Sequence, residues 1–204
     1  MKTIAVFVSG NGTNLQAIMN AVGRGALKAR IALVVSDKKD AFALKRARRA
    51  GISTLFVDPK DYRDRRAYDA AVVRHLKAQK VDLIVLAGFM RILSPLFVRA
   101  YRNRILNIHP ALLPAFPGEH AIKDAFRYGV GVTGVTVHFV DEEVDHGPII
   151  IQEPVRVLAT DTEESLEGKI HKVEHRIYPE AIKKVLSGRL ILKGRRVLPV
   201  LQKS

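Results

Sequence analysis

The stretch Ile105-Leu106-Asn107-Ile108-His109-Pro110 decides how the chain is read. Two apolar residues open it, and Pro110 closes it by removing a ladder donor, so it reads as a strand with its tip at His109. Alternation puts Asn107 and His109 on one face and turns Ile108 to the other. Strand tips are where open α/β sheets form their ligand crevices. Two readings fit the pair. It is a buried polar pair hydrogen-bonded to backbone, or an amide donor and a titratable imidazole that address one developing charge.

Upstream of this strand the chain keeps a regular rhythm. Residues 3–9 form an apolar run bounded by Gly10, as in a buried parallel strand. Leu15, Ile18, Met19 and Val22 then recur at helical spacing. Residues 30–36 repeat the strand signal, and 39–50 predict a helix stopped by Gly51. A strand over 53–57, a helix over 64–79 with Tyr68, Ala71, Val72 and Leu76 facing inward, and a strand over 82–87 complete the series. Strands alternating with such helices imply βαβ units and a mostly parallel sheet.

Downstream the rhythm changes. Residues 113–118 hold Pro114, Pro117 and Gly118 and predict a loop. Residues 133–140 alternate, 148–157 form another strand, and the two can pair antiparallel. Asp161-Thr162-Glu163-Glu164 fits a capping box in its Asp-x-x-Glu form. A long helix follows, with the stripe Leu166, Ile170, Val173, Ile177, Ile182 and Val185. The tail over 190–200 predicts a small hairpin across Lys193-Gly194. The expected fold class is α/β: a Rossmann-like, mostly parallel sheet flanked by helices, with an antiparallel extension in the C-terminal half, all in a single domain over 1–204.

Composition narrows the chemistry. The 204 residues contain no cysteine, which rules out disulfides, thiolate metal sites and a cysteine nucleophile. At 48% hydrophobic there is material for a core, yet no apolar run approaches the ~20 residues of a membrane span. The first ten residues read as a strand rather than a signal peptide, so a cytoplasmic location is expected. The formal net charge of +14 suits nucleic-acid binding or the steering of small anionic substrates. The basic clusters over 45–49, 60–66 and 189–196 hold one aromatic between them, Tyr62, too few for a base-stacking platform.

Gly10-Asn11-Gly12-Thr13-Asn14 follows the first strand and feeds a helix. A dinucleotide fingerprint needs a third small residue where this chain has Leu15, and no Gly-Lys-Ser/Thr is present. The turn is then either a site for one phosphate group or a strand–helix connection capped by Thr13 or Asn14. In the acidic turn ending Asp145-His146-Gly147-Pro148, the Gly-Pro pair fixes Asp145, and a fixed carboxylate beside a histidine raises that histidine's pKa. His171 and His175 are spaced i, i+4, but no third metal ligand is evident and a charged helix face is the expectation, with no metal.

Ser9-Gly10-Asn11-Gly12-Thr13-Asn14-Leu15-Gln16, Ala87-Gly88-Phe89-Met90-Arg91-Ile92-Leu93-Ser94, Asn107-Ile108-His109-Pro110 and Asp145-x-Gly147-Pro148 together resemble the folate-dependent phosphoribosylglycinamide formyltransferases. The resemblance runs in the family's order to about Leu190. It implies the formyltransferase fold, with a phosphate-binding half over about 1–104 and a folate-binding and catalytic half over about 105–204. It implies 10-formyltetrahydrofolate as co-substrate, glycinamide ribonucleotide as acceptor, and a monomer or homodimer with no membrane or specific nucleic-acid partner. Asn107, His109 and Asp145 match the family's catalytic positions. Gly12, Thr13, Asn14 and Glu174 match those that hold the ribonucleotide. Arg65, Met90, Arg91, Ile92, Leu93 and Asn107 match those around the formylfolate, with Arg66 an alternative to Arg65.

Two residues depart from the pattern. Ala111 stands where many members have serine, and Glu119 is an acid where a small or apolar residue is expected; Glu119 is expected to face solvent. Related formylfolate enzymes remain alternatives: a hydrolase that releases formate, usually with an extra N-terminal domain, and a methionyl-tRNA formyltransferase, with a C-terminal barrel. The chain starts at its first strand and little follows Leu190, which favours neither. A basic RNA-binding module is the alternative from another class, and it predicts steeply salt-dependent nucleic-acid binding.

Overall fold

The computed structural model describes residues 1–200 and resolves into two compact units, Met1–Asn107 and a second that begins at Ile108. In the first unit, β1 (Lys2–Val8), β2 (Ala29–Ser36), β3 (Thr54–Phe56), β4 (Leu83–Leu86) and β5 (Ile105–His109) lie in the order β3-β2-β1-β4-β5 and pair in parallel. Helices α1 (Thr13–Gly23), α2 (Phe42–Arg49), α3 (Arg65–Ala78) and α4 (Pro95–Ala100) connect them. β1 is central, so both of its faces are covered: Ile4 to Val8 are at most 1% exposed. Phe7 packs edge-on against Phe89 and Phe97, with ring centroids 5.2 and 5.8 Å away. Within α3, Tyr68, Ala71, Val72 and Leu76 are buried as their spacing predicts. Asp64 caps this helix by accepting from the Ala67 N–H at 2.7 Å.

β5 carries the chain from the first unit into the second. The second unit contains α5 (Ala121–Tyr128), β6 (Val132–Phe139), β7 (Ile149–Arg156), α6 (Glu163–Leu186), β8 (Leu190–Lys193) and β9 (Arg196–Pro199). β6 and β7 pair antiparallel, with His138 opposite Ile149. β8 and β9 form the expected hairpin, and β9 joins β7 through Arg196 opposite Ile149. The mixed sheet, parallel first and largely antiparallel later, is the expected fold class.

Several local expectations need correction. The α6 cap is Thr162, whose hydroxyl accepts from Ser165 N–H while the Ser165 hydroxyl accepts from Thr162 N–H. Asp161 instead accepts from Leu158 N–H, the Ser165 hydroxyl and Lys169. The two candidate caps are adjacent, and the backbone entry angle selects the second. Helix α2 starts at Phe42 rather than residue 39, because Ala41 N–H closes a turn onto Lys38 O. The short helices α4 and α5 were not expected; α4 opens on Ser94-Pro95 and α5 ends at left-handed Gly129, both local signals.

Candidate active site

β5 ends with His109 almost fully buried, its side chain 4% exposed. Its Nε2 lies 2.7 Å from Phe116 O. A carbonyl only accepts, so Nε2 carries the hydrogen. The other ring nitrogen, Nδ1, lies 3.3 Å from Oδ2 of Asp145. His138, at the end of β6, repeats the arrangement. Its Nδ1 donates to Phe139 O at 2.8 Å, and its Nε2 lies 3.7 Å from Oδ1 of Asp145. Gly118 N–H donates to the same Asp145 Oδ2 at 2.8 Å. One carboxylate thus faces two imidazoles, each already committed to a backbone carbonyl.

The turn over 140–148 holds Asp145 in this place. Asp145 itself has φ +51°, in the left-handed region that side chains rarely adopt. Gly147 comes so close to Phe139 O that an added Cβ would sit 1.7 Å from it, and Phe139 N–H donates to Pro148 O at 2.9 Å. The Gly-Pro pair therefore closes the β6–β7 connection tightly, as the sequence suggests.

Electrostatics sharpen the picture. Burial pushes the His109 pKa down; Asp145 and the Phe116 carbonyl push it up, but burial wins. The resting imidazole is therefore biased toward its neutral form, contrary to the expectation that a nearby carboxylate makes it the charged acid. Burial alone would raise the Asp145 carboxyl, but His138, the Gly118 N–H and His109 together hold it below the ordinary value. An ionised Asp145 beside a neutral His109 is ready to stabilise a proton delivered to Nδ1.

Asn107 shares β5 with His109, two residues earlier and in register with Leu86 of β4. Gly12, Thr13 and Asn14 form the start of α1, where Gly12 is the N-cap at φ +73° and no side chain caps the helix. Gly12 itself brings no side chain to cap this first turn. A Cβ on Gly12 would sit 2.5 Å from that of Ala43, so α2 leaves no space for a side chain. Arg46 ties the turn down by donating to Asn11 O at 2.9 Å. The Ser9 hydroxyl donates to Asp37 at 2.6 Å and accepts from Met90 N–H at 3.0 Å, linking the turn to the 87–94 segment.

In that segment Met90 and Ile92 are 59% and 57% exposed, while Leu93 is buried. Arg91 lies over the Tyr68 ring at 4.6 Å. Arg65 and Arg66 both line a cavity of about 660 Å³ with Ser94, Leu96 and Arg99. Glu174 is buried on α6, with Oε2 2.9 Å from His171 Nδ1. His171 also meets Glu167 at 3.3 Å and stacks on His175. Among the described residues no three His, Asp or Glu side chains gather as a metal site. Glu119 is exposed and Ala111 fully buried.

His138, Phe116 and Gly118 escaped the sequence reading. A signal existed for His138: it alternates with Thr136 on β6, between the apolar residues Val135, Val137 and Phe139. The backbone groups of Phe116 and Gly118 have no side-chain signature.

Residues 2–182 match the family model described as formyl transferase. The chain is 45% identical over 186 residues to a protein of Bacillus subtilis named phosphoribosylglycinamide formyltransferase, covering 91% of this chain and 95% of that one. It is 48% identical over 193 residues to the trifunctional purine biosynthetic protein adenosine-3 of Drosophila melanogaster, covering 94% of this chain but only 14% of that protein. A crystal structure of glycinamide ribonucleotide transformylase 1 from Symbiobacterium toebii superposes with a TM-score of 0.96 at 52% identity, covering 98% and 94% of the two chains. Fold and motifs thus define an α/β group-transfer protein. The chain belongs to the formyl transferase family and is a formyltransferase.

Proposed function

We propose that this chain transfers the formyl group of 10-formyltetrahydrofolate to the amine of glycinamide ribonucleotide, a step of purine synthesis, in the cytoplasm. The observation that carries the reading is the buried pairing of His109 Nδ1 with Asp145 Oδ2 at 3.3 Å, on the two motifs shared by formylfolate enzymes. The names of the similar bacterial proteins support the acceptor.

In this reading the acceptor's amine is the nucleophile, so the protein needs none of its own. Its lone pair forms the new C–N bond while the carbonyl electrons move to oxygen. Asn107 donates a hydrogen bond to that oxygen, which stabilises charge only once it has formed. The amine nitrogen, now positive, loses a proton through water to neutral His109, and Asp145 stabilises the resulting imidazolium. The imidazolium adds positive charge beside the oxyanion and then yields a proton to the folate nitrogen as its bond to the formyl carbon breaks. The Phe116 carbonyl competes with substrate for the His109 Nε2–H, so the 113–118 loop shifts during turnover.

The α1 start, with Gly12, Thr13 and Asn14, holds the acceptor's phosphate, because the N-terminal end of the helix dipole favours an anion there. Glu174 accepts from the ribose hydroxyls. Exposed Met90 and Ile92, backed by Arg91 and Leu93, offer apolar surface to the pterin, and Arg65 meets the folate's carboxylates. The test is to follow folate product by absorbance with glycinamide ribonucleotide, methionyl-tRNA or water as acceptor. Turnover that requires the ribonucleotide is expected. Equal turnover in water, or turnover only with tRNA, would replace the reading with one of its relatives.

A further inference from the structure

Asp145 keeps a left-handed backbone, which persists only where the surroundings over-determine it. Its next neighbour, His146, is 42% exposed and yet held on three sides. His146 Nδ1 lies 2.8 Å from Asp141 Oδ2, and a carboxylate in its ionised form only accepts, so Nδ1 carries the hydrogen. Nε2 is then an acceptor, and Arg195 Nη1 lies 2.7 Å from it. Nη1 is also 3.1 Å from Nδ1. The second terminal nitrogen of Arg195, Nη2, donates to His146 O. With Nη1 in reach of both ring nitrogens, the guanidinium sits against the ring rather than on one lone pair, and guanidinium, imidazole and carboxylate form one packed cluster with a charged group at either end.

Arg195 reaches His146 from the turn between β8 and β9, after left-handed Gly194. The next residue, Arg196, pairs with Ile149, three residues beyond His146. The hairpin is therefore docked on the strand that leaves the acidic turn. It lies outside residues 2–182, the part that matches the family model.

We propose that Arg195 is a positioning residue for Asp145: by gripping the ring and the carbonyl of His146 it fixes the peptide that aims the carboxylate at His109. The proposal rests on Asp145 serving formyl transfer. Its structural half is readable without turnover, through the Gly118 amide that donates to Asp145 Oδ2 at 2.8 Å.

The experiment compares Arg195→Ala, Arg195→Lys and the control Arg196→Ala in the full chain. Arg195→Ala is expected to speed hydrogen exchange at Gly118 N–H and to lower kcat roughly ten-fold, with both KM values within about two-fold; misplacing a catalytic group by 1 Å costs about 10²-fold. Arg195→Lys recovers only part of the rate, since an ammonium is a point charge rather than a planar fork. Arg196→Ala matches the wild type. Unchanged Gly118 exchange in Arg195→Ala overturns the proposal, whether or not the wild type transfers formyl groups. So does an unchanged kcat in an active enzyme, or a loss shared by Arg196→Ala. A wild type that transfers no formyl group refutes the proposed function instead, and the exchange measurement still decides whether Arg195 holds the turn.

Discussion

Replacing Asp145 by asparagine removes one charge while keeping the shape of the side chain. Its amide oxygen can still accept from Gly118 N–H, so the turn over 140–148 is expected to survive. What goes is the attraction between the carboxylate and an imidazolium 3.3 Å away, in side chains 4% and 10% exposed. At an effective dielectric of roughly 20, two unit charges at that separation interact by about 5 kcal/mol, an upper bound. Local relaxation and the field of Glu174, which also raises the His109 pKa, reduce the expected loss to about 3 kcal/mol, or roughly 10²-fold in kcat. The assay is formyl transfer followed by folate absorbance at saturating donor and varied ribonucleotide. The ribonucleotide KM should change by less than about three-fold, because the loss falls on charge formed in the transition state. Without Asp145 the His109 pKa falls further, so the acid limb of the kcat/KM profile moves to lower pH. A kcat within about three-fold of wild type, or an unmoved acid limb, would refute the reasoning.

His109→Ala should lower formyl transfer about 10³-fold, to a residual but measurable rate, while ribonucleotide binding, measured by calorimetry, stays largely intact; equal loss of both would make His109 structural. Gly12→Ala forces a side chain into the left-handed region at φ +73° and onto Ala43, so thermal unfolding should show a loss of about 2–4 kcal/mol, with weakened ribonucleotide binding. Stability should fall in acid. His109 is depressed below its ordinary 6.5, so its contribution is complete above that value and is lost as pH falls through the folded pKa. Asp145, depressed below 3.8, adds a second loss at lower pH. His175 acts in the same direction as His109, whereas His171, raised chiefly by its Glu174 hydrogen bond, opposes them. The fall in Tm between pH 7 and 5 should therefore be smaller in His109→Gln, and an identical fall would contradict the assignment.

The sheet was legible because buried parallel strands are written as apolar runs: β1 and β4 could be little else, and Pro110 marked the end of β5. Helix ends were less so. Asp161 and Thr162 are both good caps, and only the path of the backbone chooses between them. Within the site, Pro110 marked His109 as the last residue of β5, with Asn107 on the same strand, and Gly147-Pro148 announced a tight turn at Asp145. The partner of Asp145 was harder. Chain proximity points to His146, but the β6–β7 pairing brings His138 to it and leaves His146 to Asp141 and Arg195. The sign of the His109 shift could not be read from the chain at all, since it depends on how much water the fold excludes.

The account's central claim is that His109 and Asp145 act as one proton-transfer unit, and a double-mutant cycle on kcat tests it most directly. If they do, adding Asp145→Asn to His109→Ala costs little more, so the double variant lies within about three-fold of His109→Ala alone. Losses that multiply independently would mean two groups working apart, and the claim would not stand.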